Sequence, residues 1–169
     1  EIDRDAGHVH PLNYAIGLAT AAAKAGARLH EASEVLRIDH GAAPVVHTAH
    51  GHVRCKQVIL AGNGYLGNLD AQVAAKVMPI NNFIVATEPM TPAAQEKIIR
   101  GNHAVADTKF VINYFRFSED HRLLFGGREV YSANSPAEIE SGVRRQIAEI
   151  YPRLADVKLT HAWGGYVGI

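Results

Sequence analysis

The apolar run Val58-Ile59-Leu60-Ala61 feeds, with no polar residue between, into Gly62-Asn63-Gly64-Tyr65-Leu66-Gly67. A strand-length apolar run that ends in a glycine loop reads as an inner parallel strand, covered on both faces, turning sharply into a helix. That feature commits this part of the chain to an α/β layer. The residues before it agree. Leu12, Ala15, Ile16, Ala19, Ala22 and Ala23 recur at helical spacing between Pro11 and Gly26, with proline at the first helical position and glycine just past the last. The alanines leave a thin helix face that a sheet can approach closely. Short strands are expected over 27–30, 35–38 and 45–48, with His50-Gly51 turning the last of these into a segment around Val53. A short helix is expected over 69–77, stopped before Pro79.

The character of the chain changes at Pro79. Residues 80–88, 109–117 and 122–126 read as long strands of an antiparallel sheet, and 158–166 as a last one. Two helices interrupt them. One starts at Thr91-Pro92 and runs to about Arg100; the other opens on a capping box, with Ser135 at N-cap, Pro136 at N1 and Glu138 at N3. Ile139, Val143, Ile147 and Ile150 form its apolar row, and Pro152 ends it. The expected class is α/β plus α+β, with a boundary near Pro79.

Composition removes several functions. The 169 residues carry 17 Lys+Arg against 17 Asp+Glu, a formal net charge of zero, with no basic cluster. A nucleic-acid surface needs the opposite. No uncharged apolar stretch is long enough to span a bilayer, and no charged segment precedes an apolar one as in a secretory signal. The single cysteine, Cys55, excludes an internal disulfide framework and suits a cytoplasmic protein. The chain opens at Glu1 without a methionine and closes inside the apolar, glycine-rich run Trp163-Gly164-Gly165-Tyr166-Val167-Gly168-Ile169. Chain ends are usually polar and exposed, so an internal piece of a longer polypeptide is expected.

The candidate motifs differ in weight. Gly62 to Gly67 spells G-x-G-x-x-G, and Glu88 follows at about the distance of a ribose-binding acid. Asn68 and Asp70 at the start of the next helix would repel a phosphate, however, and the helix and meander before the strand have no place in a first βαβ unit. A glycine-rich strand-to-helix loop is the simpler reading. His47, His50 and His52 form H-x-x-H-x-H, but they straddle the expected hairpin turn, where alternation sends side chains to opposite faces. No carboxylate or second cysteine completes a zinc set nearby, so no metal site is expected. Cys55 lacks a histidine-plus-acid partner set, and neither a G-x-S-x-G elbow nor a P-loop occurs.

Two aromatic strings carry more. In Asn113-Tyr114-Phe115-Arg116-Phe117 the period of two puts Tyr114 and Arg116 on one face of a strand. A phenol beside a guanidinium can clamp a carboxylate or amide; the competing reading is an arginine that covers the sheet with its stem. Trp163-Gly164-Gly165 sets a large flat side chain beside two absent ones. That leaves room for a planar ligand, or marks a tryptophan capping a core.

Taken in order, these strings resemble the FAD-dependent amine and amino-acid oxidoreductases of the D-amino-acid oxidase family. The resemblance rests on the helix from Pro11-Leu12 to Gly26-Ala27, on Val35, on Val58 through Gly64, and on the strand from Pro79-Ile80 to Thr87-Glu88-Pro89. It continues through Leu123-Leu124-Phe125-Gly126-Gly127 and through Pro152 followed by Trp163-Gly164-Gly165. Asn113-Tyr114-Phe115-Arg116 and Arg122 through Arg128 look most like the gamma-glutamylputrescine oxidoreductase branch. The resemblance implies a partial FAD-binding, Rossmann-like domain over 1–79, a mixed, antiparallel-sheet substrate domain over 80–162, and a return to the FAD domain over 163–169. It implies FAD contacts at Val35, Ala61, Gly62, Asn63, Gly64, Trp163 and Gly164, and substrate contacts at Tyr114 and Arg116.

The chemistry so implied is oxidation of a C–N bond in a small amine by hydride transfer to FAD, with the protein orienting the amine and excluding water. No residue is assigned as a general base. The family's pyrophosphate loop would lie before Glu1, so this stretch alone is expected to be inactive and not to retain FAD, and exposed sheet edges are expected to pair copies of it. Two other readings stay open on the residues: a non-catalytic interaction domain, and a stand-alone Rossmann-type enzyme that uses Gly62 to Gly67.

Overall fold

The computed structural model describes residues 2–130 and 136–169. They fall into two units, Pro11–Pro79 with Val167–Ile169, and Glu1–His10 with Ile80–Tyr166.

In the first unit, α1 spans Pro11–Lys24. Gly26, at φ +95°, ends it: its N–H donates to the Ala23 carbonyl at 3.0 Å, and the Ala27 N–H donates to Ala22 at 3.0 Å. This is the Schellman arrangement that glycine past a helix end permits. None of the helix's residues is buried. The thin apolar face is there, but Leu12 and Ile16 are more than half exposed.

Three short strands follow, β1 (Val35–Asp39), β2 (Val45–Thr48) and β3 (Gly51–Arg54), in an antiparallel meander of that order. Thr48 pairs with Gly51, so the turn residues are Ala49 and His50, one position earlier than expected. His47 pairs directly with His52, and their rings lie 6.0 Å apart. The hairpin therefore places these two on one face, against the expectation of opposite faces. Among the described residues no group of three metal-binding side chains forms.

The expected inner strand at 58–61 is absent, and Ile59 is 90% exposed. The expected strand at 27–30 is absent too. Apolar sequence supplies the side chains of a strand, but the ladder needs a neighbour, and neither segment has one among the described residues. The helix expected over 69–77 shortens to α2, Ala71–Ala74. Asp70 caps it by accepting from Gln72 and Val73 N–H, both at 3.0 Å.

In the second unit a five-stranded sheet runs in the order β5-β6-β7-β4-β8. Its strands are β4 (Pro79–Thr87), β5 (Val105–Ala106), β6 (Tyr114–Phe117), β7 (Leu123–Val130) and β8 (Leu159–Gly168). Between them come α3 (Pro92–Ile98), capped by Thr91 on Ala94 N–H, and α4 (Pro136–Ile150). The expected N-cap of α4, Ser135, lies outside the described residues. The strand expected over 109–117 begins only at Tyr114. Before it, the Asp107 carboxylate closes residues 107–113 into a loop by accepting from the N–H groups of Lys109 and Asn113 and from Asn113 Nδ2.

One face of this sheet is the core. Phe83, Val85, Phe115, Phe117, Leu123 and Phe125 alternate along three strands, β4, β6 and β7, and meet Ile139, Val143 and Ile147 of α4. These isoleucines and valine stand at i, i+4 and i+8, as an apolar stripe requires. Phe115 and Phe125, cross-strand partners, stack with centroids 5.2 Å apart.

Candidate active-site surfaces

In the first unit three of the residues expected to touch FAD line one trough. Val35 of β1, with Ala61 and Gly62 of the loop, lines an open trough of about 470 Å³, whose lining also includes Ile38, Val46 and Leu60. Only Glu34 brings a charge to its lining. Such a trough suits a flat, largely apolar ring and not a phosphate. Asn63 and Gly64 belong to the 3-10 turn Asn63–Tyr65 that continues from it. Asn63 sits at φ +49°, a conformation asparagine tolerates better than most residues. Its Oδ1 accepts from the N–H groups of Gly64 and Gly168. A Cβ on Gly62 would come within 3.2 Å of Leu66 Cα, so a side chain there would press on the turn by a few tenths of an ångström.

The pyrophosphate reading of Gly62 to Gly67 fails on this geometry. No strand leads into the loop, and α2 has four residues. The Asp70 carboxylate occupies its first amides, where a phosphate would have to bind. His40 Nε2 lies 3.1 Å from the same carboxylate.

The other surface is the second unit's sheet, on the face opposite the core. Tyr114 and Arg116 alternate with buried Phe115 and Phe117, so both stand on it, as the period of two predicts. Tyr114 pairs with Gly126 across β6 and β7. Its ring occupies the space that a Cβ on Gly126 would fill, and passes over that glycine to the next strand. There its hydroxyl donates a hydrogen bond to Asn82 Oδ1. Arg116 turns along its own strand, Nη1 donating to the Phe117 carbonyl at 3.3 Å. The two side chains share a face but engage different partners.

Trp163 and Gly164 lie on β8, in the same unit as Tyr114. A Cβ on Gly164 would meet the Phe83 ring at 2.7 Å, on the core side. The missing side chain at Gly164 is thus filled by Phe83. By alternation Trp163, 44% exposed, points to the face that carries Tyr114 and Asn82.

The loop before β6 is held by charge. Burial pushes the Asp107 carboxyl up, but the N–H groups and side-chain amide of Asn113, with the Lys109 N–H and its charge, outweigh that and leave it below the ordinary carboxylate value. Among the described residues nothing pairs with the Oδ1 of Asn113, which is 1% exposed and faces Gly127, where a Cβ would lie 2.6 Å away. Gly127 is therefore held to glycine by a buried amide beside it. Sequence reasoning did not find Asn82, because cross-strand register is invisible along the chain. Gly126 stood in the resemblance, but without its reason.

The comparisons with known proteins agree with one another. The family described as FAD dependent oxidoreductase, DAO, matches residues 2–169. A probable oxidoreductase OrdL of Rhizobium meliloti (strain 1021) is 49% identical over 168 residues, 99% of this chain and 39% of that protein. The gamma-glutamylputrescine oxidoreductase of Escherichia coli (strain K12) is 38% identical over 165 residues, 97% of this chain and 39% of that protein. Among solved structures, glycine oxidase from Geobacillus kaustophilus superposes with a TM-score of 0.72 at 24% identity, covering 91% of this chain and 41% of that one. L-proline dehydrogenase from P. horikoshii gives 0.74 at 22% identity, covering 92% and 43%. The chain thus spans about two fifths of the relatives it matches, and it belongs to the DAO family of FAD-dependent oxidoreductases.

Proposed function

We propose that the polypeptide carrying this chain oxidises a C–N bond of an amine or amino acid, with a gamma-glutamylputrescine-like compound as the substrate class. The observation that carries the reading is the Tyr114–Gly126–Asn82 arrangement on an open sheet face. A fixed polar group on a half-buried sheet face that also carries Arg116 can orient a small amine. The 38% identity to a gamma-glutamylputrescine oxidoreductase supports the substrate class.

FAD, when bound, supplies the two-electron acceptor. The trough of Val35, Ala61 and Gly62, continued by Asn63 and Gly64, fits one of its flat apolar portions. Trp163 and Gly164 belong to the second unit, and Trp163 offers an aromatic face there. Tyr114 and Arg116 bind and orient the substrate. The division near Pro79 separates the FAD contacts at Val35 and 61–64 from those assigned to the amine, while Trp163 and Gly164 lie in the unit of the amine contacts. A cytoplasmic setting fits the single half-buried cysteine. Pairing between copies would have to use an edge strand such as β3 or β8, because 58–61 forms none.

The test is anaerobic mixing of the full-length, FAD-loaded polypeptide with gamma-glutamylputrescine, putrescine or glycine. The reading expects bleaching of the flavin band near ~450 nm, which belongs to the isoalloxazine and not to the fold, by gamma-glutamylputrescine first. No bleaching by any amine or amino acid would overturn it.

A further inference from the structure

We propose that Asn63 positions the FAD turn through its side-chain oxygen, as a latch between residues 62–64 and the returning segment Val167–Ile169. The inference rests on the assignment of that turn to FAD, and gives one of its residues a positioning role in place of a direct contact. Both stretches belong to the same unit. Asn63 Oδ1 accepts from Gly64 N–H at 2.8 Å, inside the turn, and from Gly168 N–H, 105 positions along the chain. An amide oxygen has two lone pairs, and here each has a donor. One bond shapes the turn; the other fixes where the turn sits.

The returning segment is tied on by its backbone as well. Met78 N–H donates to the Ile169 carbonyl at 2.8 Å, and Ile169 N–H donates to the Met78 carbonyl at 3.1 Å. The approach is close enough to exclude a side chain: a Cβ on Gly168 would meet Val77 Cγ1 at 2.7 Å and Asn63 Oδ1 at 3.0 Å. Asn63 itself, at φ +49°, holds a left-handed conformation that asparagine, aspartate and glycine accept more readily than other residues. Position 63 therefore makes two demands, a left-handed backbone and an acceptor at side-chain reach. Asparagine and aspartate meet both, and glycine meets only the first. Neither demand is a contact with FAD. Asn63 is a positioning residue in this scheme, acting through its neighbour Gly62, which lines the trough.

The experiment titrates FAD into the full-length apoprotein and reads Kd from the flavin fluorescence, with the visible circular dichroism of the bound flavin as a second readout. Asn63→Gly keeps the backbone conformation and removes the acceptor. Its Kd should rise roughly fivefold or more, as expected for two lost hydrogen bonds. Asn63→Asp keeps an acceptor for both N–H groups and should recover most of that loss, with the flavin dichroism of wild type. An asparagine that acted by donating its NH2 to FAD would not be rescued by aspartate, which has no such donor. Gly168→Ala opens the latch from the other side and should also raise Kd; it takes the place of Asn63→Gly if that variant does not fold. Wild-type affinity in Asn63→Gly, or equal losses in the glycine and aspartate variants, would overturn the inference. Ala61→Phe, which fills the trough, separates the two readings. If it weakens FAD binding while Asn63→Gly does not, only the latch fails. If neither weakens it, the assignment of this turn to FAD fails as well.

Discussion

The two units differ in where their apolar side chains go. In the sheet unit Phe83, Val85, Leu123, Phe125, Val143 and Ile147 are fully buried, and the strands alternate cleanly between a core face and an open face. In the other unit Ile38 is the one buried apolar residue among those described, at 9% exposure. Leu12, Ile16, Leu18 and Ile59 of that unit are all more than half exposed. Both units have apolar sequence in comparable runs. What separates them is whether a second layer is in place to receive it, since burial and not hydrophobicity alone is what stabilises.

The largest effect that would break this contrast is in the core. Phe125→Ala removes a ring stacked on Phe115 at 5.2 Å and should cost about 3–5 kcal/mol. Leu12→Ala on α1 should change stability by no more than about 0.5 kcal/mol. Urea unfolding followed by circular dichroism reads both, and equal costs would erase the distinction. Next comes Gly126→Ala. The added methyl takes the place of the Tyr114 ring, an overpacking worth about 1–3 kcal/mol, and should release the Asn82 bond as well. The Tyr114 ring resonances in NMR spectra should move while those of Phe125, on the other face, stay.

Smaller effects sharpen the comparison within the exposed unit. Gly26→Ala places a Cβ on a residue at φ +95° and should cost about 1 kcal/mol, read as helix content against temperature. Each unit also has one carboxylate that can be followed by pH. The His47 hydrogen bond, 2.8 Å long, holds Asp39 below the ordinary carboxylate range with help from Arg37, and the loop bonds do so for Asp107. Because both values are lowered in the fold, their bonds contribute fully above the unfolded value of about 3.9. They are lost as pH falls through the lower folded value. His47→Ala should raise the Asp39 titration midpoint and leave that of Asp107 unchanged.

The same contrast explains what was legible in the sequence. The apolar row of α4, the end of α1 at Gly26 and the shared face of Tyr114 and Arg116 are local periodicities, and all three stand in the structure. The strand expected at 58–61 depended on a neighbour, which no local pattern encodes. His47 and His52 met because the turn falls one residue earlier than expected, and a one-residue shift changes which side chains share a face. Tyr114 was visible as a candidate, but its partner Asn82 is 32 positions away. Only strand order brings it under the hydroxyl.

The central claim is that the FAD contacts at Val35 and 61–64 and the amine contacts at Tyr114 and Arg116 belong to different units, and one pair of variants in the full-length protein tests it. Ala61→Phe fills the trough from an exposed position, while Tyr114→Phe removes a hydroxyl from the open face. The account predicts that Ala61→Phe lowers the FAD bound per polypeptide severalfold and leaves the KM for amine of the flavin-loaded fraction unchanged. Tyr114→Phe should keep full FAD and raise that KM by roughly 2–12-fold, the equivalent of a hydrogen bond worth about 0.5–1.5 kcal/mol. Loss of FAD in Tyr114→Phe, or full FAD with an altered KM in Ala61→Phe, would contradict it.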